Sequence, residues 1–232
     1  TTKLNEFFDN KFKNFKKKND EYYIAKEYND LRILLWSKNC TVAPNRFINF
    51  IQQVALKKDR EEFGYHYQCC ASDFTQFLIE CLHNSIKREV NININGEIKN
   101  NQDTVAVKCY ESQKLFYEKE YSDLIPIFGG IQVNSIQIIN NKKEPNYICE
   151  PFMSISLPIP HKNKGEQLTL IDCFKEYTKD EIVKSDEGDK IKNILFWSLP
   201  NVLIVTLSRF HNDARRKITT VINSELNDID LS

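Results

Sequence analysis

The 232 residues carry 32 Lys+Arg against 32 Asp+Glu, so no net field draws the chain to nucleic acid or to an anionic membrane. Apolar residues make up 41% and aromatics 12%, enough for one large domain or two small ones. No apolar run is long enough to cross a bilayer, and the 7 cysteines are odd in number and scattered, which fits reduced thiols in a cytosolic or nuclear setting.

In chain order, residues 1–20 alternate Phe7, Phe8, Phe12 and Phe15 with lysines, which predicts a basic amphipathic surface helix. Tyr28, Leu31, Leu34 and Leu35 recur at helical spacing and predict a second helix ending near Trp36. After the reset at Pro44, Phe47, Phe50, Ile51 and Val54 form the buried stripe of a third. Residues 72–86 give the clearest helix, with Ser72 as N-cap, Asp73 at the positive helix end, and Phe74, Phe77, Leu78, Cys81, Leu82 and Ile86 on one apolar face. A helix over 105–117 follows, with Val107, Tyr110 and Leu115 expected inward.

From Phe128 the period changes to two. Residues 128–139 read as an extended ribbon after a glycine turn, and 140–143 as a turn. Residues 150–160 alternate with Met153, Ile155, Leu157 and Ile159 on one face, which predicts a half-buried antiparallel strand. A short helix over 168–177 and a charged connector over 184–192 come next. The apolar run 199–210, entered through Pro200, reads as a strand buried on both faces, flanked by strands over 194–197 and 217–222. Helices first and strands afterwards make the fold class α+β.

Several of these stretches together resemble the ubiquitin-specific proteases, the papain-like cysteine deubiquitinases. LPNVLIVTLSRF (199–210) resembles their "Leu-Pro-x-Val-Leu … Leu-x-Arg-Phe" strand, and EPFMSISLPIP (150–160) their "Pro-Phe-x-x-Leu-Ser-Leu-Pro-Ile" strand. ASDFTQFLIECLH (71–83) is similar to the "Gln-Gln-Asp-x-x-Glu-Phe-Leu … Leu-His" helix. LTLIDCFKEYTKDEIV (168–183), IFGGIQVNSIQI (127–138) and LNDIDLS (226–232) fall in the family's order. The resemblance implies a papain-like hand in one domain: thumb helices over 1–120, β fingers over 121–192, and over 193–232 the start of a palm left incomplete in this chain. It implies a partner, ubiquitin or its conjugates, and a palm sheet completed by a partner chain or by the rest of the same chain.

That family cuts after the last ubiquitin glycine with a Cys thiolate at a helix N-terminus, a His base and an oxyanion donor. Its Cys box and its His box are both missing from these residues. In the family's register the first would precede Thr1 and the second would follow Ser232, so no catalytic residue is assigned and this chain by itself is expected to be inactive. Cys69 and Cys70 stand before a helix near His66, but the matching family position binds substrate and no His box accompanies them. Cys81 and His83 are two apart on one helix and cannot face each other. Neither a cofactor nor a metal is expected: where the family places a "Cys-x-x-Cys" pair for zinc, this chain has Ile138 and Asn141.

Four ubiquitin-binding positions carry over. Asp73 matches the family's Asp, which meets basic groups on ubiquitin by charge-assisted hydrogen bonds, although helix-end stabilisation explains an Asp there equally well. Gln76 replaces the family's Glu and keeps an acceptor without the charge. Arg209 and Phe210 would border the channel for the ubiquitin tail, or else only cap a strand end. The reading is therefore the central part of a ubiquitin-specific protease, located in the cytoplasm or nucleus. The alternative is a non-catalytic ubiquitin-binding, scaffolding or virion-structural module that kept the fold; the changes at Gln76, Ile138 and Asn141 lend some weight to a binding or scaffolding role.

Overall fold

The computed structural model describes residues 2–15, 19–37, 41–139, 144–161, 167–185, 188–210 and 216–224. They fall into two compact units: Thr1–Ile92 with Lys114–Phe128, and Asn93–Gln113 with Gly129–Ser232.

The first unit is helical. It contains α1 (Thr2–Lys11), a 3-10 turn (Phe12–Asn14), α2 (Glu21–Ser37), α3 (Asn45–Lys57), α4 (Glu61–Gly64) and α5 (Ala71–Ile86), then the end of α6 (Asn101–Tyr117) and the short α7 (Ile125–Phe128). Ile24, Ile51, Val54, Ala55, Phe63, Phe77 and Cys81 form its core, with Phe47, Phe50, Phe74 and Leu78 packed at the margin. Full burial of each large side chain contributes about 1.5–3 kcal/mol, so this cluster dominates the unit. The phenylalanines of the first helical stretch form a second cluster. Phe8 touches Phe7, Phe12, Phe15 and Tyr28, with ring centroids 5.1–5.9 Å apart. Phe7 and Phe8 are buried and Phe12 and Phe15 half-buried, so α1 is the expected surface helix with its one apolar side turned inward.

Helix α2 ends where the periodicity predicts, but its inward face differs. Leu34 and Leu35 are half exposed, whereas Glu27, Asn29 and Arg32 are buried. Ion pairs set that face. Arg32 reaches Asp9 of α1 at 2.6 Å and Asn29 at 3.0 Å, and Arg46 of α3 reaches Glu27 at 2.6 Å. A buried charge is retained only when paired in this way. Helix α5 begins two residues earlier than Ser72 suggests, because the Phe74 amide donates to the Cys70 carbonyl at 3.0 Å and makes Cys70 the N-cap. Its far end is braced by an antiparallel bridge between Arg88 and Tyr121, with both amides donating at 2.9 Å. On α6, Cys109 is the buried residue, while Tyr110 and Leu115 point to solvent against expectation.

The second unit holds β1 (Gly130–Ile138), β2 (Asn146–Phe152), β3 (Ile155–Leu157), β4 (Leu168–Thr169), α8 (Leu170–Thr178), β5 (Glu181–Val183), β6 (Lys190–Ser198), β7 (Val205–Leu207) and β8 (Ile222–Asn223). Four strands form an antiparallel sheet in the order β2-β1-β6-β5. Val133 stands opposite Cys149 on one side and Leu195 on the other, and with Ile131 it packs against Cys109 of α6. The opposite face meets α8: Tyr177 stacks on Phe196 at 6.1 Å and donates its hydroxyl to Gln132 at 2.8 Å. A capping box fixes the start of α8, with Thr169 and Asp172 bonding each other's backbone amides.

Several expectations for this half of the chain need correction. Residues 150–160 are two elements, not one antiparallel strand. The chain bends at Met153 and Ser154, so that β2 pairs with β1 and β3 pairs in parallel with β7. The connector expected over 184–192 ends at Lys190, where β6 begins. The run 199–210 contains a strand of only three half-buried residues, β7. Residues 194–197 belong to the four-stranded sheet instead of flanking it, and Ile222 pairs with β4. Apolar content alone does not distinguish a sheet's centre from a segment that packs its side chains on α8, and Leu203, Val205 and Leu207 do the latter. Residues 140–143 and 226–232 lie outside the described residues.

Candidate functional site

The first set of predicted positions sits at the start of α5. Asp73 and Gln76 are one helical turn apart, and both are exposed. Asp73 lies in the first turn, where four backbone amides have no helical partner and a carboxylate is favoured. Cys70 precedes it as an exposed thiol, 2.8 Å from the Ser72 hydroxyl. That contact, helped by the amides of Asp73 and Ser72, holds the Cys70 thiol below its usual range. Just upstream, Tyr65 and Tyr67 expose 51% and 66% of their surface with rings 5.5 Å apart. The sequence reading passed over this pair, although two tyrosines at i and i+2 before a helix signal an extended, one-faced aromatic patch.

Cys81 and His83 face different ways, as their spacing on one helix requires. Cys81 is fully buried, and burial pushes its thiol up to about 12, so it is inert. His83 turns the other way and places Nδ1 2.8 Å from the Ser122 hydroxyl, which also accepts the Leu124 amide at 3.3 Å. His66 is exposed. A pair able to activate a thiol needs imidazole and sulfur within hydrogen-bond reach; Cys70 is engaged by a hydroxyl and His83 by another.

The second set lies in the other unit, just after β7. Arg209 turns back on its own chain: Nη1 donates to the carbonyls of Ile218 and Thr220 at 3.2 and 2.8 Å, and the Ile218 amide donates to the Arg209 carbonyl at 2.6 Å. Phe210 forms an isolated antiparallel bridge with Lys217, whose ammonium lies 5.8 Å from the ring centroid, and it remains 61% exposed. Arg209 therefore ties a loop to a strand end, and Phe210 presents an exposed ring beside the Lys217 ammonium. Asp73 and Gln76 belong to the first unit, and Arg209 and Phe210 to the second.

Among the described residues no group of three or more His, Cys, Asp or Glu is placed to hold a metal ion. Ile138 closes β1 with an apolar side chain, and Asn141 lies outside the described residues. Among the described residues no helix is long and apolar enough to cross a membrane.

The family model described as ubiquitin carboxyl-terminal hydrolase matches residues 1–232. Ubiquitin carboxyl-terminal hydrolase 2 of Gallus gallus is 30% identical over 227 residues, covering 90% of this chain and 60% of that protein. A probable ubiquitin carboxyl-terminal hydrolase of Acanthamoeba polyphaga mimivirus is 26% identical, covering 85% and 52% respectively. The chain thus spans a little over half the length of these relatives. Among solved structures, the SAGA Ubp8/Sgf11/Sus1/Sgf73 DUB module bound to ubiquitin aldehyde superposes with a TM-score of 0.61 at 21% identity, over 96% of this chain and 45% of that one. A second structure of the Ubp8-Sgf11-Sgf73-Sus1 SAGA DUB module gives 0.61 at 21% identity. The α+β arrangement is that of a papain-like cysteine protease, and the chain belongs to the ubiquitin carboxyl-terminal hydrolase family.

Proposed function

We propose that this chain is the ubiquitin-gripping central part of a cysteine-type deubiquitinase, acting on the isopeptide bond after the ubiquitin C-terminal glycine. The match of the family model over residues 1–232 carries this reading. Within it, residues 1–120 are the thumb, 121–192 the fingers and 193–232 the start of the palm. Asp73 and Gln76 offer acceptors to basic groups of ubiquitin, and Phe210 offers an apolar wall for its tail. The thiolate and imidazole that carry out hydrolysis are assigned to no residue of this chain, so the chain contributes affinity and orientation, the part of catalysis that precedes bond breaking.

The test is a titration of ubiquitin against this chain, run beside incubation with ubiquitin bearing a C-terminal electrophile. Saturable binding that weakens in Asp73→Ala, with no covalent adduct, supports the proposal. Absence of binding refutes it, and an adduct at Cys70 would move the chemistry into this chain. A second reading, a non-catalytic ubiquitin-binding module, is favoured by Gln76, where the family carries a charged Glu. The same electrophile applied to the protein as expressed from its whole gene separates the two: labelling identifies the enzyme, and binding without labelling the module.

A further inference from the structure

Helix α6 is joined to strand β2 and the residues just before it by four side-chain contacts that advance along both segments in the same direction. Asn101 donates to Glu144 at 2.8 Å, Lys108 lies 5.8 Å from the Tyr147 ring centroid, the Cys109 thiol faces Cys149, and Ser112 donates to the Cys149 carbonyl at 2.7 Å. The two sulfurs are 3.1 Å apart, donor to acceptor, and belong to residues 40 apart in sequence. A disulfide needs its sulfurs at about 2.0 Å, so a shift of about 1 Å closes the gap. Contacts on either side of the pair hold the two elements in place while it closes.

We propose that Cys109 and Cys149 form a reversible dithiol–disulfide site that locks α6 onto the four-stranded sheet. The access of the two thiols differs. Cys109 is fully buried between α6 and the Ile131–Val133 face, whereas Cys149 is only half-buried. Burial, with the hydrogen bond to Cys149, pushes the Cys109 thiol up to about 12, so Cys149 is the residue that meets an oxidant first. The co-reactant is a small-molecule disulfide such as oxidised glutathione. The Cys149 thiolate attacks one of its sulfurs, forming a mixed disulfide and expelling one glutathione thiolate. Cys109 then gives up its proton and attacks Cys149 Sγ, expelling the second. Two protein thiols are oxidised, one small disulfide is reduced to two thiols, and the two protons pass to the departing thiolates. Among the described residues, Cys81 and Cys173 are buried in other clusters, and Cys69 and Cys70 belong to the first unit.

This inference is independent of the ubiquitin reading and is tested without it. The full chain, carrying Cys40→Ser, Cys69→Ser and Cys70→Ser to silence other thiols, is equilibrated with oxidised and reduced glutathione, trapped with acid and digested. The expected result is a linked peptide pair containing Cys109 and Cys149, lighter by two hydrogens than the reduced pair. It is accompanied by a rise in thermal midpoint on the order of 10 °C, as closing a loop of this length implies. Dithiothreitol reverses both, and Cys149→Ser removes both. Recovery of Cys149 only as a glutathione adduct, or of both residues as free thiols at every ratio of the buffer, overturns the proposal. Because Cys149→Ser changes stability by itself, the quantity compared is the difference between oxidised and reduced midpoints within each variant.

Discussion

The guanidinium of Arg209 donates to the carbonyl of Thr220 at 2.8 Å, and through the same nitrogen to Ile218, so the residue expected to line a substrate channel is engaged with its own backbone. Its neighbour Phe210 has no such duty and exposes 61% of its surface. The two adjacent positions should therefore separate in mutagenesis. Arg209→Ala loses charge-assisted hydrogen bonds to backbone and is expected to cost about 1.5–3 kcal/mol of stability. Phe210→Ala should change stability by less than about 0.5 kcal/mol while weakening ubiquitin binding. Urea unfolding and a ubiquitin titration of both variants check this; a stable Arg209→Ala would show that the clamp contributes little.

Gln76 shares the exposed face of α5 with Asp73. On the proposed binding face Gln76→Glu adds a carboxylate, and an exposed ion pair formed by it is expected to strengthen ubiquitin binding by about two- to fivefold. The gain should shrink as salt rises, because both partners are solvated. Titrations at low and high ionic strength distinguish this from a change in helix stability, which salt would not remove.

Gly130 opens β1 in a place with no room for a side chain. A Cβ there would sit 2.7 Å from the Ser198 carbonyl oxygen and press on the Phe152 ring. The ring can swing; the backbone oxygen, held in the sheet, cannot. Gly130→Ala is expected to destabilise the protein by about 1–3 kcal/mol through overpacking, read as a lower urea midpoint with an unchanged slope.

His83 makes stability depend on pH. Burial, with the Lys87 ammonium nearby, holds its pKa below the usual 6.5 in the folded protein. Between the folded and unfolded values the unfolded chain binds a proton that the native one does not, so stability falls as pH drops from neutral through 6.5, and the loss is complete below the folded value. Glu62, Glu120 and Asp172, whose pKa values are also lowered, act only below the carboxylate range near 4.5. Urea midpoints between pH 7.5 and 5 should decline in the native protein and flatten in His83→Gln. Equal slopes in both would assign the decline to other groups.

How much of this was legible beforehand depends on the range of the forces involved. Helices α3 and α5 and strand β1 follow from period and composition, because each buries a face defined by its own residues. The inward face of α2 does not, since it is set by Asp9 and Arg46, partners on other helices whose ion pairs outweigh the apolar character of Leu34 and Leu35. The run 199–210 was misjudged for a related reason: its apolar side chains pack on α8, and a window of sequence cannot distinguish a helix surface from a second strand. Of the four binding positions, the exposure of Gln76 follows from helical geometry, and that of Asp73 from its place in the first turn of α5. The fold-back of Arg209 requires knowing that residues 218–220 return beside it, which is tertiary information.

The parallel pairing of β3 with β7 brings together residues such as Ile155 and Thr206, 51 apart in sequence, for the sake of three ladder positions. The chain must close a long loop before that short ladder yields any hydrogen bond, whereas α2 and α3 meet early, through residues such as Glu27 and Arg46 that are 19 apart in sequence. Folding should thus begin among the helices and finish at β7, and the amides of Ile155 and Ser208, bonded to Ile204 and Leu157, should be among the first in the sheets to exchange their hydrogens for deuterium.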